Sequence, residues 1–427
     1  MVRPYSASLW AHTASPEVEA AALKGTAQAD VAIVGAGFTG CAAALALAQR
    51  GAKVRVLDST AVGWGASGRT GGQVIPGLKY DPDELEAMFG NELGPRLVAA
   101  VGSVGDEVFS LIERHAIACD GERKGWLQPA FSARSLEVAE RRCAQWRQRG
   151  APVAPVDRSR MARLIGSEHY LGGWEDLRGG HVQPLSYVRG LAAAAQRAGA
   201  LFHSASPVTS LTRQGAKWHL TTPSGSVEAG QVLLATNGYT DALWPGLART
   251  VVPMVSFQAA TPPLPDALGK DILPEGHAAS DTRRLLWYFR RDAHGRLVMG
   301  GRAPYREDLG PADAGFVRHA VDRLFPQLRQ TPFEFHWFGR VAMTQDHLPH
   351  LHRLDDGLWA ALGYNGRGVG LATLLGRHLA ELASGAAAQD IPFPVTAMRP
   401  IVGYPFTRLA ARVLTEYYRV RDRLEAA

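Results

Sequence analysis

"DVAIVGAGFTGCAAALALAQRGAKVRVLD" runs from Asp30 to Asp58, and its reading decides the fold. Val31 to Val34 suit a short buried strand. Gly35, Gly37 and Gly40 follow in G-x-G-x-x-G spacing. Phe38 to Arg50 is rich in alanine and leucine and predicts a helix, closed by Gly51. Lys53 to Leu57 predicts a second strand, completing a βαβ unit. In that setting each glycine has its own task. Gly35 permits a tight turn, Gly37 lets the backbone approach a diphosphate, and Gly40 lets helix and strand pack closely. The amides of the helix start, Phe38 and Thr39 among them, face the phosphates with the positive end of the dipole. Asp58 ends the second strand with Ser59 beside it, where a carboxylate accepts hydrogen bonds from a ribose diol. The pattern predicts a dinucleotide site and leaves FAD and NAD both open. Cys41, on the helix, reads as a small core residue.

The composition sets the wider frame. The 427 residues allow two domains, or one domain with an insertion. A hydrophobic content of 46% with 20% charged residues suits a sizeable core. The net charge is +6, the basic residues are almost all arginine, and no run of like charges occurs, which argues against nucleic-acid binding. Three cysteines, Cys41, Cys119 and Cys143, form no disulfide framework and fit a reducing compartment. No apolar run reaches membrane-spanning length, and the first residues lack a signal-peptide core. A cytoplasmic protein is expected. His347, His350 and His352 invite a zinc reading, but Pro349 interrupts the run and no metal is expected.

Residues 1–28 read as an irregular surface extension. Pro95 to Ala118 and Ser135 to Gln148 read as helices, and Pro184 opens another that ends at Gly199. Short strands are expected at Ala200 to His203, Val208 to Leu211, Trp218 to Thr222 and in "VLLAT". The segments "VVPMVSFQAA", "RLLWYFR", "RLVMGG" and "FEFHWFGRVAM" predict an antiparallel sheet. Thr407 to Leu424 predicts an amphipathic helix whose apolar stripe (Leu409, Val413, Tyr417, Val420 and Leu424) packs onto its own domain.

A second glycine-dense loop, "GWGASGRTGGQ", spans Gly63 to Gln73. An NAD domain would continue with further βα units instead. This loop, with "HVQPLSYVRGLAAAAQRAGA", "VLLATNGYT", "RLVMGGR", "GRVAMTQDHLPHL" and "GYNGRGVGLATLLGRHLAELASG", resembles the D-amino-acid-oxidase-like (glycine/sarcosine-oxidase-like) FAD-dependent oxidoreductases. Within that family it is nearest the gamma-glutamylputrescine oxidoreductase branch, with Thr70 where that branch has asparagine. The resemblance implies a discontinuous, Rossmann-like α/β FAD-binding domain (29–85, 155–250 and 335–390). It also implies a substrate or cap domain with a mostly antiparallel sheet (86–154 and 251–334), and leaves 391–427 as the C-terminal helix. It implies that the second loop, Gly65, Ala66, Ser67, Arg69, Thr70, Gly71, Gly72 and Gln73, runs beside the ribityl chain and isoalloxazine. It further implies that Val208 holds the adenine edge, that Ala235, Asn237 and Gly339 lie near the cofactor, and that Gly363, Tyr364, Gly366, Arg367, Gly368 and Val369 face the pyrimidine end of the flavin. Arg367 stands where the family commonly has histidine. The residues that attach flavin covalently in some relatives are absent, so non-covalent FAD is expected.

The same resemblance bears on substrate. Relatives that oxidise α-amino acids clamp the carboxylate with an arginine, and the matching position here is Val341. Arg340 is its neighbour, but adjacent strand residues point to opposite faces. Gly370 stands where sarcosine-type relatives place a lysine. The implied reaction is hydride transfer from an amine-bearing carbon to flavin N5, giving an imine and then an aldehyde plus ammonia or amine. Oxygen is the expected acceptor, with an unknown electron acceptor as the alternative. The substrate is an alkylamine or polyamine derivative such as gamma-glutamylputrescine. Tyr288, Trp287, Arg302 and Tyr364 are pocket candidates, with core packing as the competing role for the aromatics. A far-end carboxylate has Arg302 or Arg69 as partners. No acid or base is assigned. Two other readings remain open: an amino-acid dehydrogenase with another acceptor, and a flavin-binding protein without turnover.

Overall fold

In the computed structural model, which describes residues 8–304, 306 and 308–426, the opening strand lengthens to Gly25–Val34. It becomes the middle of a nine-stranded sheet. Val54–Leu57 and Gly225–Leu234 flank it in parallel, and Leu201–His203 and Leu358–Leu362 extend the parallel set on either side. Because these five strands run one way, the residues that follow four of them, Gly35, Asp58, Ala235 and Gly363, collect along one edge. Ligands of open α/β sheets bind at that edge.

The first helix, Phe38–Ala48, is buried on nearly every side, which explains its alanine-rich sequence without a polar face. It packs on Gly368–Ala383. A Cβ at Gly376 would stand 2.4 Å from the Thr39 carbonyl oxygen, so only glycine permits this approach.

The second sheet has eight strands. Val252–Ala260 pairs antiparallel with both Leu297–Ala303 and Phe335–Met343, and Tyr288–Arg291 with Leu297–Ala303. Its one parallel pair is Ala278–Ser280 with Trp126–Ala130, so the expected, mostly antiparallel, character holds. Residues alternate between faces. Val255, Phe257, Phe289 and Met299 build a core with the Gly315–Leu324 helix. Ser256, Gln258, Tyr288, Arg290, Gly300 and Arg302 lie on the opposite face, which touches the second glycine loop.

Several expectations need correction. Val153–Asp157, Gly172–Asp176 and Phe335–Met343 pair within the second sheet, whereas the expected boundaries gave nearly all of them to the cofactor-binding part. The helix expected at Pro95 to Ala118 is two helices, Pro82–Gly102 and Val104–His115. The first is broken at Gly90, where φ is 71°, so Pro95 falls just past a break. Val208 precedes its strand, Ser210–Gln214. The 1–28 extension is not irregular surface chain: residues 1–7 lie outside the described residues, but Leu9–Thr13 is a helix with Leu9 and Trp10 fully buried, and 25–28 already belong to the first strand.

The C-terminal helix, Thr407–Ala426, departs furthest. Leu409, Val413, Tyr417, Val420 and Leu424 are 51–69% exposed, so the apolar stripe faces outward. The inward face carries Thr415, Tyr418, Asp422 and Glu425 instead. Asp422 accepts the backbone amides of Arg284 and Leu285, and the Arg284 guanidinium pairs with Asp422 and Glu425. Charge-assisted bonds to otherwise open amides outweigh the apolar stripe in orienting this helix.

Candidate active site

The two glycine loops are bonded to each other. Phe38 N donates to Ser67 Oγ at 3.0 Å, so the second loop caps the first helix. A Cβ at Gly40 would lie 1.9 Å from the Gly35 carbonyl oxygen, and one at Gly35 2.8 Å from that of Ala235. A Cβ at Gly37 would meet only the Ser67 hydroxyl, at 2.9 Å. Of the four amides that a helix start leaves open, Ser67 takes one. Among the described residues those of Gly37, Thr39 and Gly40 have no acceptor. Three converging amides at a helix N-terminus, against a backbone stripped of side chains, fit a diphosphate. Asp58 is engaged within the protein. Its two carboxylate oxygens accept the amides of Ala36 and Thr60, each at 2.8 Å, tying the first loop to the turn. Burial pushes its carboxyl above the ordinary value, against these bonds. Ser59 beside it is exposed.

The second loop lies on the inner face of the eight-stranded sheet. Gly71 sits against the Tyr288 ring: a Cβ there would stand 2.9 Å from Tyr288 Cε2. The Arg69 carbonyl oxygen accepts from Gln258 Nε2 and Trp337 Nε1, and Gly339 leaves room for the Arg69 side chain. Arg69 itself folds back, donating from Nε to the Trp64 carbonyl oxygen with its guanidinium over the Trp64 ring. Gly65 packs on Tyr239, and Ala66 opens a single helical turn. Gln73 departs from expectation. Its amide bonds Ala279 O, Phe289 O and Ser280 Oγ, so it anchors the loop to the sheet rather than offering a polar group to a ligand. Gly72, at φ 75°, lets the loop pass the Val182 carbonyl.

The late loop closes the same edge. Asn237 Oδ1 accepts from Gly363 N at 2.9 Å, joining the end of one strand to that of the next. Gly366, with φ 86°, turns the chain into Arg367, and Gly368 and Val369 open the following helix. Arg367 donates from Nη1 to Pro76 O and lies over Trp126. Part of it reaches solvent, yet the surrounding protein and the Arg142 charge hold its pKa down to about 9. Tyr364 bonds Thr39 Oγ1 at 2.6 Å and is fully enclosed, so it joins the two helices and does not line a pocket. Trp287 also turns away: it stacks with His169 and carries Arg283 over its ring, on the outer core side. Tyr288 and Arg302 remain on the inner face. Val341 shares that face, opposite Met254, while Arg340 lies over Tyr239. Val208, half-buried, stands outside this cluster of contacts, in the loop after Leu201–His203.

Two contributors were not legible in the sequence. Trp10 donates from Nε1 to the Thr70 carbonyl oxygen at 2.8 Å. Arg290 donates to Gly71 O and Val182 O from beneath the loop, has no carboxylate partner among the described residues, and is held down to about 10 by burial. His350 binds Asp346 and His352 binds Thr396 O, and among the described residues no group of three or more metal-ligating side chains comes together.

The profile of the family described as "FAD dependent oxidoreductase" (DAO) matches residues 30–382. The chain is 31% identical to the gamma-glutamylputrescine oxidoreductase of Escherichia coli K12, across 98% of this chain and 99% of that one. It is 32% identical to a probable oxidoreductase, OrdL, of Haemophilus influenzae, covering 92% of each. Among solved structures, glycine oxidase from Geobacillus kaustophilus has the same fold, with a TM-score of 0.72 at 22% identity over 87% of this chain and all of that one.

Proposed function

This chain belongs to the FAD-dependent oxidoreductase (DAO) family and is an FAD enzyme acting on C–N bonds of amines or amino acids, and from that premise we propose that it oxidises an amine carrying no carboxylate on the reacting carbon. The observation that carries this reading is the inner sheet face beside Gly339. Val341 and Met254 present apolar surface there, and Arg340 points the other way. An apolar wall favours the neutral amine, the form able to give up hydride. FAD, which the two glycine loops would hold, would supply the acceptor for that hydride. Water then hydrolyses the imine, so R–CH2–NH2, oxygen and water become R–CHO, ammonia and hydrogen peroxide. Tyr288, with its hydroxyl bonded to Ser256 Oγ at 2.6 Å, forms one wall and presents no free base. Burial pushes its phenol well up, so it stays protonated.

The substrate class is an alkylamine or polyamine derivative, such as the gamma-glutamylputrescine in the name of the Escherichia coli relative. Oxygen is the acceptor and the flavin is not covalently attached. Among the described residues no helix is long and apolar enough to cross a membrane. The three buried, free cysteines fit a cytoplasmic setting. The test is anaerobic bleaching of the flavin across a panel of polyamines, their glutamyl conjugates and simple alkylamines, beside glycine, proline and D-alanine. Amines are expected to bleach it and the α-amino acids to leave it yellow; the reverse pattern overturns the proposal. Admitting air is expected to return the colour with stoichiometric peroxide.

A further inference from the structure

The inner sheet face does not end at the second glycine loop. Arg302 lies directly opposite Ser256, whose hydroxyl meets Tyr288, whose ring lies on Gly71. It stands one same-face step, about 7 Å, beyond Gly300. Three further groups from separate segments, Lys79, His347 and Tyr418, lie within electrostatic reach of it, and the Tyr80 hydroxyl, donating to Asp346 O at 2.9 Å, ties the segments of the first two together. Lys79 follows the second glycine loop, His347 follows the Phe335–Met343 strand, and Tyr418 comes from the inward face of the C-terminal helix. Lys79 is exposed at the rim, where the protein around its stem first and the Arg302 charge second hold the ammonium below its ordinary value. Burial, with the charges of Lys79 and Arg302, does the same to His347 against the pull of Asp346.

Among the described residues no acid is paired with either cation. Among the described residues neither the Arg302 guanidinium nor the Lys79 ammonium makes a hydrogen bond or ion pair. Asp346, the acid beside His347, is occupied by His350 at 3.0 Å and by the Leu348 amide. His347 is held at φ 56°, and its Nδ1 is buried without a partner. A half-buried, unpaired guanidinium is costly unless an anion completes it. The other candidate cation is spent: Arg69 is stacked on Trp64 and bonded to its carbonyl.

We propose that Arg302 and Lys79 form an anion subsite at the mouth of the amine pocket, and that it takes the carboxylate at the far end of the amine substrate. The inference rests on the amine reading above. One small molecule spans both sites, its amine end at the Val341–Tyr288 wall and its carboxylate on Arg302, with Tyr418 and His347 bordering the charge. The enzyme thereby distinguishes a carboxylate remote from the reacting carbon from one attached to it.

Calorimetric titration of the FAD-loaded protein with hexanoate and with hexanol tests this without turnover. The wild type is expected to bind hexanoate at least about tenfold more tightly than hexanol. R302M and K79M are each expected to shrink that ratio, and R302K to retain part of it. Equal binding of the two by the wild type overturns the proposal, as does an R302M protein that weakens both alike. Should R302M emerge without flavin, K79M and R302K carry the same comparison. Preference for hexanoate in a protein that no amine bleaches sinks the amine reading alone; amine oxidation without that preference sinks the subsite alone.

Discussion

Gly37 and Gly40 belong to one motif but tolerate different substitutions. A methyl group at Gly40 collides with the Gly35 backbone at 1.9 Å, and backbone on that strand has nowhere to go. At Gly37 the obstacle is the Ser67 hydroxyl, which can rotate aside at the expense of its bond to Phe38 N. Gly40→Ala is therefore expected to yield colourless, aggregation-prone protein. Gly37→Ala should fold and hold FAD more weakly, by about 1 kcal/mol for the lost cap, read as the dissociation constant from flavin fluorescence. The glycines were legible because their spacing encodes a local constraint. Trp10 and Arg290 were not, because their partners in the second loop lie 60 and 219 residues away. Arg290 carries no spacing signal: its role comes from a strand register that brings it under Gly71.

At the scale of elements, four of the five parallel strands and the Phe38–Ala48 helix were readable because hydrophobic period and glycine punctuation agree, while Leu358–Leu362 was not expected. The C-terminal helix was readable as a helix but not in its orientation. Period alone says that a stripe exists; Asp422, reaching amides at 284 and 285, decides which side faces in. A consequence is that the apolar stripe adds little to the stability of the isolated chain. Replacing Leu409, Val413 and Val420 together by Ser should change unfolding free energy by less than about 0.5 kcal/mol per site, whereas Arg284→Ala should free the helix. Thermal melts and limited proteolysis near residue 407 distinguish the two. Trp287 taught the same lesson as the helix: next to Tyr288 in sequence, it faces the opposite side of the sheet, where Arg283 lies 3.9 Å from its ring centroid.

Over the whole molecule, domain boundaries were the least legible feature. Phe335–Met343 joins a sheet whose other strands begin 209 residues before it, at Trp126. Nothing local marks that change of partner. Acid stability is likewise a property of the assembled fold. His352 is buried and held neutral, its pKa lowered from 6.5 to about 4, by burial first. The unfolded chain takes up that proton below about pH 6.5, the folded one only below about 4. Stability is therefore full above pH 6.5 and declines as pH falls towards 4, by on the order of 3 kcal/mol from this residue. His169, also lowered to about 4, adds in the same direction. Melting temperature followed from pH 7 to pH 4 should fall for the wild type and fall less steeply for His352→Gln.

The Gly25–Val34 strand is flanked on one side by Val54–Leu57 and on the other by Gly225–Leu234. During synthesis the phosphate-facing turn leaves the ribosome early, while its second neighbour, Gly225–Leu234, is still about 190 residues from being made. Leu358–Leu362 arrives later still. For most of translation the nascent polypeptide thus exposes one unpaired apolar strand edge, a hazard that calls for chaperone cover, and coenzyme loading waits until the polypeptide is nearly complete.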